Sequence, residues 1–542
     1  MERDSKAGRR LRGGSPRVGV RGLLLAALAL VAASLAAGIA TAATPDQAAP
    51  PGSPPELAAN LGAFPAPNAN YTNDRVVSGS RIQASNVATL TKAWSFNLSG
   101  TSPFGVFSAN PIVTKDAVYL QDMNSNVFKL DRTTGAPLWQ RKFNDLSTGP
   151  TGVAIGNGAV FGGTSTGAFA LDDATGAVKW SRKLIRKKSE GVDMAPLVWN
   201  DMVIISTVPG DSLSTFYGGG GKGIVFALDA ATGAVRWKFD TTTDNLWGNP
   251  KINSGGGLWG TPAVDKNGDI YIAVANPGVF PGTEAFPNGT SRPGRNLYTN
   301  SLVVLDGKTG KLKWYYQAIR HDIRDWDLQL GPILATFTIN GKPTDVAVLS
   351  GKMGTVYVVD RTTHKLIWKR DVGKHRDEDG PNRNAPFKPN RTTKFLPGYL
   401  GGVETPMAVA DGVIYVPVNN LCSTSGWPQK SYADAGFVLC DFASSSGQTV
   451  ALDGATGKTI WNKKVNRMNF GGATVANDLV FATYFNGVTY AYNRATGAVA
   501  WKQPGPAQGN ATPAIAEDLV VVGTGFAPTK AQKASVVAYR LP

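Results

Sequence analysis

The segment YYQAIRHDIRDWDLQLGPIL, Tyr315 to Leu334, places Asp322, Asp325 and Asp327 within six residues of one another, beside Arg320, His321, Arg324 and Trp326. Only 17% of the 542 residues are charged, so this density of acids stands out. Carboxylates this close repel one another unless a cation, a metal or a proton compensates them. Two roles follow from that. The stretch can be a salt-bridged loop, or it can supply a general base, an ionised carboxylate next to a metal that accepts a substrate proton. In extended backbone Asp325 and Asp327 share a face. Other residue types offer less. The histidines His321, His364 and His375 are dispersed and lack zinc-ligand spacing. Cys422 and Cys440 are the only cysteines, and no C-x-x-C-H haem attachment occurs. In an oxidising compartment their 18-residue spacing makes a disulfide the first expectation. Such a bond stabilises by on the order of 3 kcal/mol.

The compartment is indicated by the N-terminus. A basic stretch, GRRLRGGSPRVGVRG, precedes the apolar run LLLAALALVAASLAAGIATAA, which ends in the small-residue pattern Ala40-Thr41-Ala42. Residues 1–43 therefore read as a secretory signal peptide or an N-terminal membrane anchor. Either way the body lies outside the cytoplasm, secreted or held at the membrane by that segment, and Arg9-Arg10 hints at twin-arginine export. Residues 44–69, rich in Pro and Ala, read as a linker. The net charge of +16 is concentrated in part in this leader, where residues 1–21 carry seven Lys/Arg against two acids. The cluster RKLIRKK (Arg182–Lys188) has no interleaved aromatics and reads as a solvated loop, so no nucleic-acid partner is expected.

The acidic stretch follows directly on one member of a repeat. LDRTTGAPLW ends at Trp139, LDDATGAVKW at Trp180, LDAATGAVRW at Trp237, LDGKTGKLKW at Trp314, VDRTTHKLIW at Trp368, LDGATGKTIW at Trp461 and YNRATGAVAW at Trp501. Each reads as strand, hairpin turn and second strand. Asp caps turn N–H groups, Gly supplies positive φ, and Trp rides the outgoing strand. Two more strands stand upstream of most copies, as in PAVDKNGDIYIAV. Four antiparallel strands per unit predict a β-propeller blade. The strand VATLTKAWSFNL, with Trp94, and the partnerless strands after Trp501 predict a shared last blade. The expected fold is all-β: an eight-bladed propeller over residues 70–542, its last blade closed by both chain ends.

Asp-x-x-Thr-Gly-x-x-x-Trp repeated in this way resembles the quinoprotein alcohol dehydrogenases, which bind pyrroloquinoline quinone (PQQ). NYTNDRVVSGSRIQASNVATLTKAW is similar to that family's N-terminal segment, and the resemblance extends from Asn70 to Pro542. Further positions are identified through it. GGGLWGTPAVD resembles the segment whose tryptophan forms the floor under the quinone, here Trp259, whose flat indole suits stacking. VANPGVF resembles the segment whose asparagine ligates calcium, here Asn276. LSGKMGTVYVVD resembles the strand whose cation contacts the quinone oxygens, here Lys352. The family places its catalytic aspartate in a His-Asp-x-Trp-Asp segment. Matching the Trp-Asp pair in HDIRDWD makes Asp327 the base and a metal ligand, whereas matching His-Asp favours Asp325. Arg320 and Arg324 would then help keep these acids charged.

The departures from the family are as informative. The calcium-binding glutamate falls on Asp211 when counted forward from MVIISTVPGD, and on Gly218 when counted back from GGGGKGIVFALD. The cofactor-binding arginine is replaced by Thr151, and Glu404 in GGVETPMA stands where the family has Asn or a neighbouring Trp. The adjacent-cysteine ring is absent, while Cys422 in VNNLC matches a family disulfide position. The resemblance implies an exported, PQQ- and calcium-dependent dehydrogenase acting on a small or polymeric alcohol and passing electrons to a separate acceptor. The alternative is a cofactor-free propeller serving as a binding scaffold at the cell envelope. Proteins with this repeat exist in both classes, so the site must decide.

Overall fold

In the computed structural model each repeat turn is built by its own side chains. Asp131 Oδ1 accepts from the Thr133 N–H (3.0 Å), the Thr134 N–H (2.7 Å) and the Thr134 hydroxyl (2.8 Å). The glycine has two reasons to be there. Gly135 lies at φ +71°, and a Cβ on it would come within 2.6 Å of the Trp94 ring. The motif glycine is thus the seat of a tryptophan from the neighbouring sheet. That indole also donates to the backbone of the motif it touches: Trp94 Nε1 to Arg132 O (3.0 Å), Trp139 to Asp173 O (2.9 Å), Trp180 to Ala230 O (2.9 Å) and Trp237 to Gly307 O (3.0 Å). Trp368 and Trp461 continue the pattern onto Gly454 O and Arg494 O. The one motif that lacks glycine keeps the left-handed turn: His364, at φ +60°, stacks its ring on Trp314 at 4.3 Å.

The structure describes residues 49–542, except 101, 103, 148, 211–218, 377–385, 389–390, 426–436, 528 and 530–531. They form an all-β, propeller-like fold of antiparallel, mostly four-stranded sheets. The sheets follow one another along the chain within 112–141, 154–183, 197–240, 263–317, 333–371, 408–465 and 474–504. The last sheet joins Ala514–Ala516, Leu519–Thr524 and Ser535–Arg540 to the early strand Thr91–Asn97, with Trp94 opposite Ala538. Trp501 packs edge-on against Tyr539 of that sheet, ring centroids 5.6 Å apart. Among the described residues no helix is long and apolar enough to cross a membrane, and the leader, 1–43, lies outside them.

Residues 49–69 depart from the linker reading. The short helix Pro55–Ala59 buries Leu57, and Glu56 accepts from the N–H groups of Asn157 and Gly158. Trp199 Nε1 donates to Pro51 O, and Phe64 pairs its backbone with Val113. Composition suggested a spacer, but a few buried apolar residues are enough to hold a Pro-rich strap on a sheet. The chain next crosses the inner strands. The carbonyls of Tyr71, Thr72, Asp74 and Arg75 accept from the N–H groups of Val264, Leu334, Val409 and Val475, respectively. Asn73 Nδ2 reaches Thr261 O and Pro332 O, so this plug touches the loops that carry Trp259 and Asp327.

Meander connectivity then determines where chemistry is located. In a four-stranded antiparallel sheet, the turns joining strands one to two and three to four share one end. The loop from strand two to three and the crossing to the next sheet share the other. Asn276 follows the second strand Asp269–Val274, and Lys352 follows the second strand Lys342–Leu349. Thr151, Trp259, Asp327 and Glu404 lie on crossings into inner strands. All of them therefore meet at the end opposite the Asp-x-x-Thr-Gly turns.

Cys422 and Cys440 form a disulfide, with Cα atoms 5.3 Å apart. It ties an inserted hairpin, Ser423–Ser425 with Phe437–Leu439, which pairs with Thr393–Phe395 in a small three-stranded sheet. No propeller strand depends on it. Thiol labelling of denatured, unreduced protein should find no free cysteine. Reduction should raise hydrogen exchange in this hairpin alone, and global unfolding on reduction would contradict the assignment.

Candidate active site

Asp325 and Asp327 converge on one ammonium. Lys352 Nζ lies 3.0 Å from Asp325 Oδ2 and 2.7 Å from Asp327 Oδ2, with all three side chains buried. The Lys352 N–H also donates to the Asp327 carbonyl (3.0 Å). This approach requires glycine at 351, because a Cβ there would collide with that carbonyl. Asn276 holds both acids from the other side: its N–H donates to Asp327 Oδ1 (2.7 Å), and its Nδ2 to Asp325 Oδ1 (2.9 Å). Asp325 takes φ +61°, a left-handed conformation that Asp tolerates better than most residues. Lys352 Nζ lies 5.3 Å from the centroid of the half-buried Trp259 ring, a cation–π contact.

The third aspartate builds the loop. Asp322 accepts from the N–H groups of Arg324 (2.8 Å) and Trp326 (2.7 Å) and from Asn300 Nδ2 (3.2 Å). The arginines do not play the part the sequence suggested. Arg320 is exposed, and the Arg324 guanidinium is buried against Phe387 (4.5 Å), Trp326 and Phe395. The charge facing Asp325 and Asp327 comes from Lys352, distant in sequence.

Two further carboxyls surround this cluster. Glu404 is buried, accepts from Gln329 Nε2 (3.4 Å) at Oε2, and has no partner for Oε1 among the described residues. Asp193 is 6% exposed, and its Oδ1 has no partner among the described residues. Burial pushes the Glu404 carboxyl up to about 8; Lys352 opposes the shift, and Asp327 and Asp325 add to it. Burial likewise pushes Asp193 up to about 7, with Asp327 reinforcing and Lys352 opposing. Asp325 rises to about 8 by burial against the pull of Lys352. For Lys352 itself burial works the other way, but Asp325, Asp327 and Glu404 outweigh it and hold the ammonium well above the usual lysine range.

Sequence reasoning missed Asp193. A signal was available, since Asp193 stands three residues before Pro196, as Trp259 stands before Pro262 and Gln329 before Pro332. That register marks the mouth of each inner strand. Thr151 is joined to this region through Gly149, which accepts from its N–H (2.8 Å) and presses against the Asp193 carboxyl. The Thr151 hydroxyl is buried without a partner among the described residues. Asp211 and Gly218, the two positions for the expected metal-binding acid, lie outside the described residues. Among the described residues no three His, Cys, Asp or Glu side chains are grouped as a metal site.

Residues 65–379 match the family profile described as the glucose/ethanol/alcohol dehydrogenase β-propeller domain, and residues 352–541 match that of the outer membrane protein assembly factor BamB. The chain is 28% identical over 504 residues to the quinohemoprotein alcohol dehydrogenase of Comamonas testosteroni, covering 81% of this chain and 69% of that protein. It is 26% identical to the lanthanide-dependent methanol dehydrogenase of Methylacidiphilum fumariolicum, over 80% of this chain and 79% of that one. The crystal structure of the Comamonas testosteroni enzyme superposes with a TM-score of 0.77 at 25% identity, covering 90% of this chain and 83% of the other.

Proposed function

The chain belongs to the family of glucose, ethanol and alcohol dehydrogenase β-propellers, and on that premise we propose that it is an exported dehydrogenase that uses PQQ and calcium to oxidise an alcohol, small or polymeric, passing the electrons to a separate acceptor. The observation that carries the reading is the Asp325–Lys352–Asp327 bridge beside the Trp259 face, with Asn276 bonded to both acids. Two companion points belong to it. The fold is an eight-bladed ring closed by both chain ends, supported by the pairing of Thr91–Asn97 with Ser535–Arg540. The location is extracytoplasmic, supported by the Cys422–Cys440 bond.

The residues present fit the two groups this reading needs. Trp259 offers a half-buried aromatic face with a cation beside it. Asn276 and Asp327 are oxygen donors of the kind calcium or a lanthanide takes, and Asp211, outside the described residues, is the further acid that the family resemblance assigns to the metal. Thr151 supplies a buried hydroxyl and Glu404 a buried carboxyl oxygen, each without a partner among the described residues. When bound, the quinone supplies a two-electron oxidant and the metal a Lewis acid at the alcohol oxygen.

The chain itself does the rest. Asp327 accepts the alcohol proton, with Asp325 the other base its geometry allows. The Asn276 N–H holds the Asp327 side chain at Oδ1, and the Lys352 ammonium holds it at Oδ2. Burial of the bridge keeps water from competing for the same oxygens. The match of residues 352–541 to the assembly-factor family favours the second reading, a cofactor-free scaffold at the cell envelope. Calorimetric titration of the purified protein with PQQ separates the two. Saturable binding, one PQQ per chain and strengthened by calcium or lanthanum, is expected. No binding at any metal concentration would leave the scaffold.

A further inference from the structure

The end of the propeller that carries the candidate site also carries an aromatic ledge. Phe485 is its centre: the rings of Phe442, Phe470 and Phe526 lie 5.9, 5.5 and 5.2 Å from it, centroid to centroid. Phe442, Phe485 and Phe526 stand on the loops between second and third strands of three consecutive sheets, and Phe470 on the crossing between the first two. Among the described residues the only exposed Phe, Tyr or Trp rings are Phe442 and Phe104, and the other three rings of the ledge are half-buried. Phe104 belongs to the same rim, its carbonyl accepting from Asn510 Nδ2 (2.9 Å). The loop stretches that hold the rings, 466–470, 484–487, 505–510 and 524–527, contain one charged residue, Arg467, which is turned onto the carbonyls of Ala443 and Asn466. Two half-buried amides stand among them, and Gln508 Oε1 and Asn510 Oδ1 have no donor among the described residues. A two-way backbone pair with Phe526 (2.9 and 3.1 Å) holds Gln508 to the ledge. The ledge begins beside the candidate site. Asn469, next to Phe470, accepts at its carbonyl from the hydroxyl of Thr405 (3.2 Å), the residue after Glu404. Its N–H donates to Asn419 Oδ1 (2.7 Å), and Asn419 pairs its backbone with Gly402, where a Cβ would collide with the Lys352 carbonyl.

We propose that this ledge is a substrate subsite, which seats a neutral polyhydroxylated chain and leads its hydroxyls to the candidate active site. The proposal rests on the dehydrogenase reading above and narrows its substrate to the polymeric class. The chemistry of the ledge selects that occupant. Contiguous exposed aromatic surface marks a place where something binds. The face of an aromatic ring is its negative side, so it receives C–H groups better than anions. Acceptor oxygens without donors call for a ligand that brings O–H groups. A purely apolar alcohol leaves those oxygens unsatisfied, and an ionic polymer finds no set of countercharges on these loops. A small alcohol cannot touch the rings and the site at once. A chain with carbon faces and repeated hydroxyls does both, and a glycan and an aliphatic polyol share that chemistry. Holding such a chain along the ledge raises the effective concentration of its hydroxyls at the site.

The test is calorimetry of the full-length protein with maltoheptaose, with poly(vinyl alcohol) and with ethanol, first without PQQ and then with PQQ and calcium. Saturable binding of at least one of the two chains is expected, with none of ethanol at the same concentration of hydroxyl groups. The chain that binds identifies the source. Phe442→Ala with Phe485→Ala should weaken that binding about tenfold through lost ring area, while PQQ uptake and the elution volume in size-exclusion chromatography stay as in wild type. Phe442→Ala alone removes an exposed ring and keeps the test open if the double variant misfolds; it should weaken chain binding roughly threefold. A folded wild type that takes up PQQ but binds neither chain overturns this proposal and leaves the dehydrogenase reading intact. So does chain binding that the folded variants leave unchanged. Dimerisation that Phe442→Ala abolishes, with no chain bound, also overturns it, because the ledge then covers a second copy. Chain binding at the ledge in a protein that takes up no PQQ overturns the dehydrogenase reading and, with it, the substrate role.

Discussion

Asp327→Asn is expected to take up PQQ and calcium while losing about 10²–10⁴-fold of its alcohol-dependent dye reduction, the range a general base contributes. The substitution is close to isosteric. An amide oxygen can still accept from the Asn276 N–H, as Asp327 Oδ1 does at 2.7 Å. It cannot receive a proton, and it turns an N–H toward Lys352 where a carboxylate oxygen now lies at 2.7 Å. The ammonium keeps Asp325 at 3.0 Å, so it is not left as an unpaired buried charge and the variant should fold. Asp325→Asn is the matched control. Asparagine tolerates the left-handed φ of +61° about as well as aspartate does, so the backbone stays in place. Its effect on turnover should be much smaller. If Asp325→Asn is instead the inactive variant while Asp327→Asn turns over, the base is Asp325. Trp259→Ala should act on binding, weakening PQQ by roughly 1–3 kcal/mol through lost stacking area.

The parts of this molecule that could be read in its sequence are those built by contiguous residues. Asp131, Thr134, Gly135 and Trp139 form a turn and present a tryptophan within nine residues, so the motif states its own geometry. The acidic cluster was visible for the same reason. What compensates it was not. Arg320 and Arg324 are adjacent in sequence, yet Lys352 bonds both acids, because the loop after one second strand folds back onto the crossing that precedes it. Arg324 went to an aromatic cage that needs Phe387 and Phe395, more than 60 residues away. Asp193 was passed over because an acid in GVDMAP looks ordinary until its burial is known. The Pro-rich stretch before Asn70 misled in the opposite direction. Its composition resembles a linker, and the burial of Leu57 and Phe64 depends on sheets that follow it in the chain.

Deletion of residues 88–98 is expected to remove the whole propeller from solution as a stable monomer. The loss begins at one strand, Thr91–Asn97, whose partner Ser535–Arg540 becomes an open edge with unpaired N–H and C=O groups. It also removes Trp94, which is 6% exposed, seated over Gly135 and bonded to Arg132 O. Truncating a buried tryptophan alone costs about 3–5 kcal/mol, against a typical domain stability of about 5–15 kcal/mol. Trp94→Ala therefore serves as the graded version: a soluble protein with a lowered Tm. The deletion adds the lost ladder and the exposed edge to that cost. From Trp94 to Trp461 each indole seats on the next motif, so two sheets lose a neighbour contact and the damage is not confined to one end. Size-exclusion chromatography and thermal denaturation read the outcome. Aggregation or a collapse of Tm agrees with closure by both chain ends. A monomeric deletion protein that melts with wild type would mean that the ring closes without this strand.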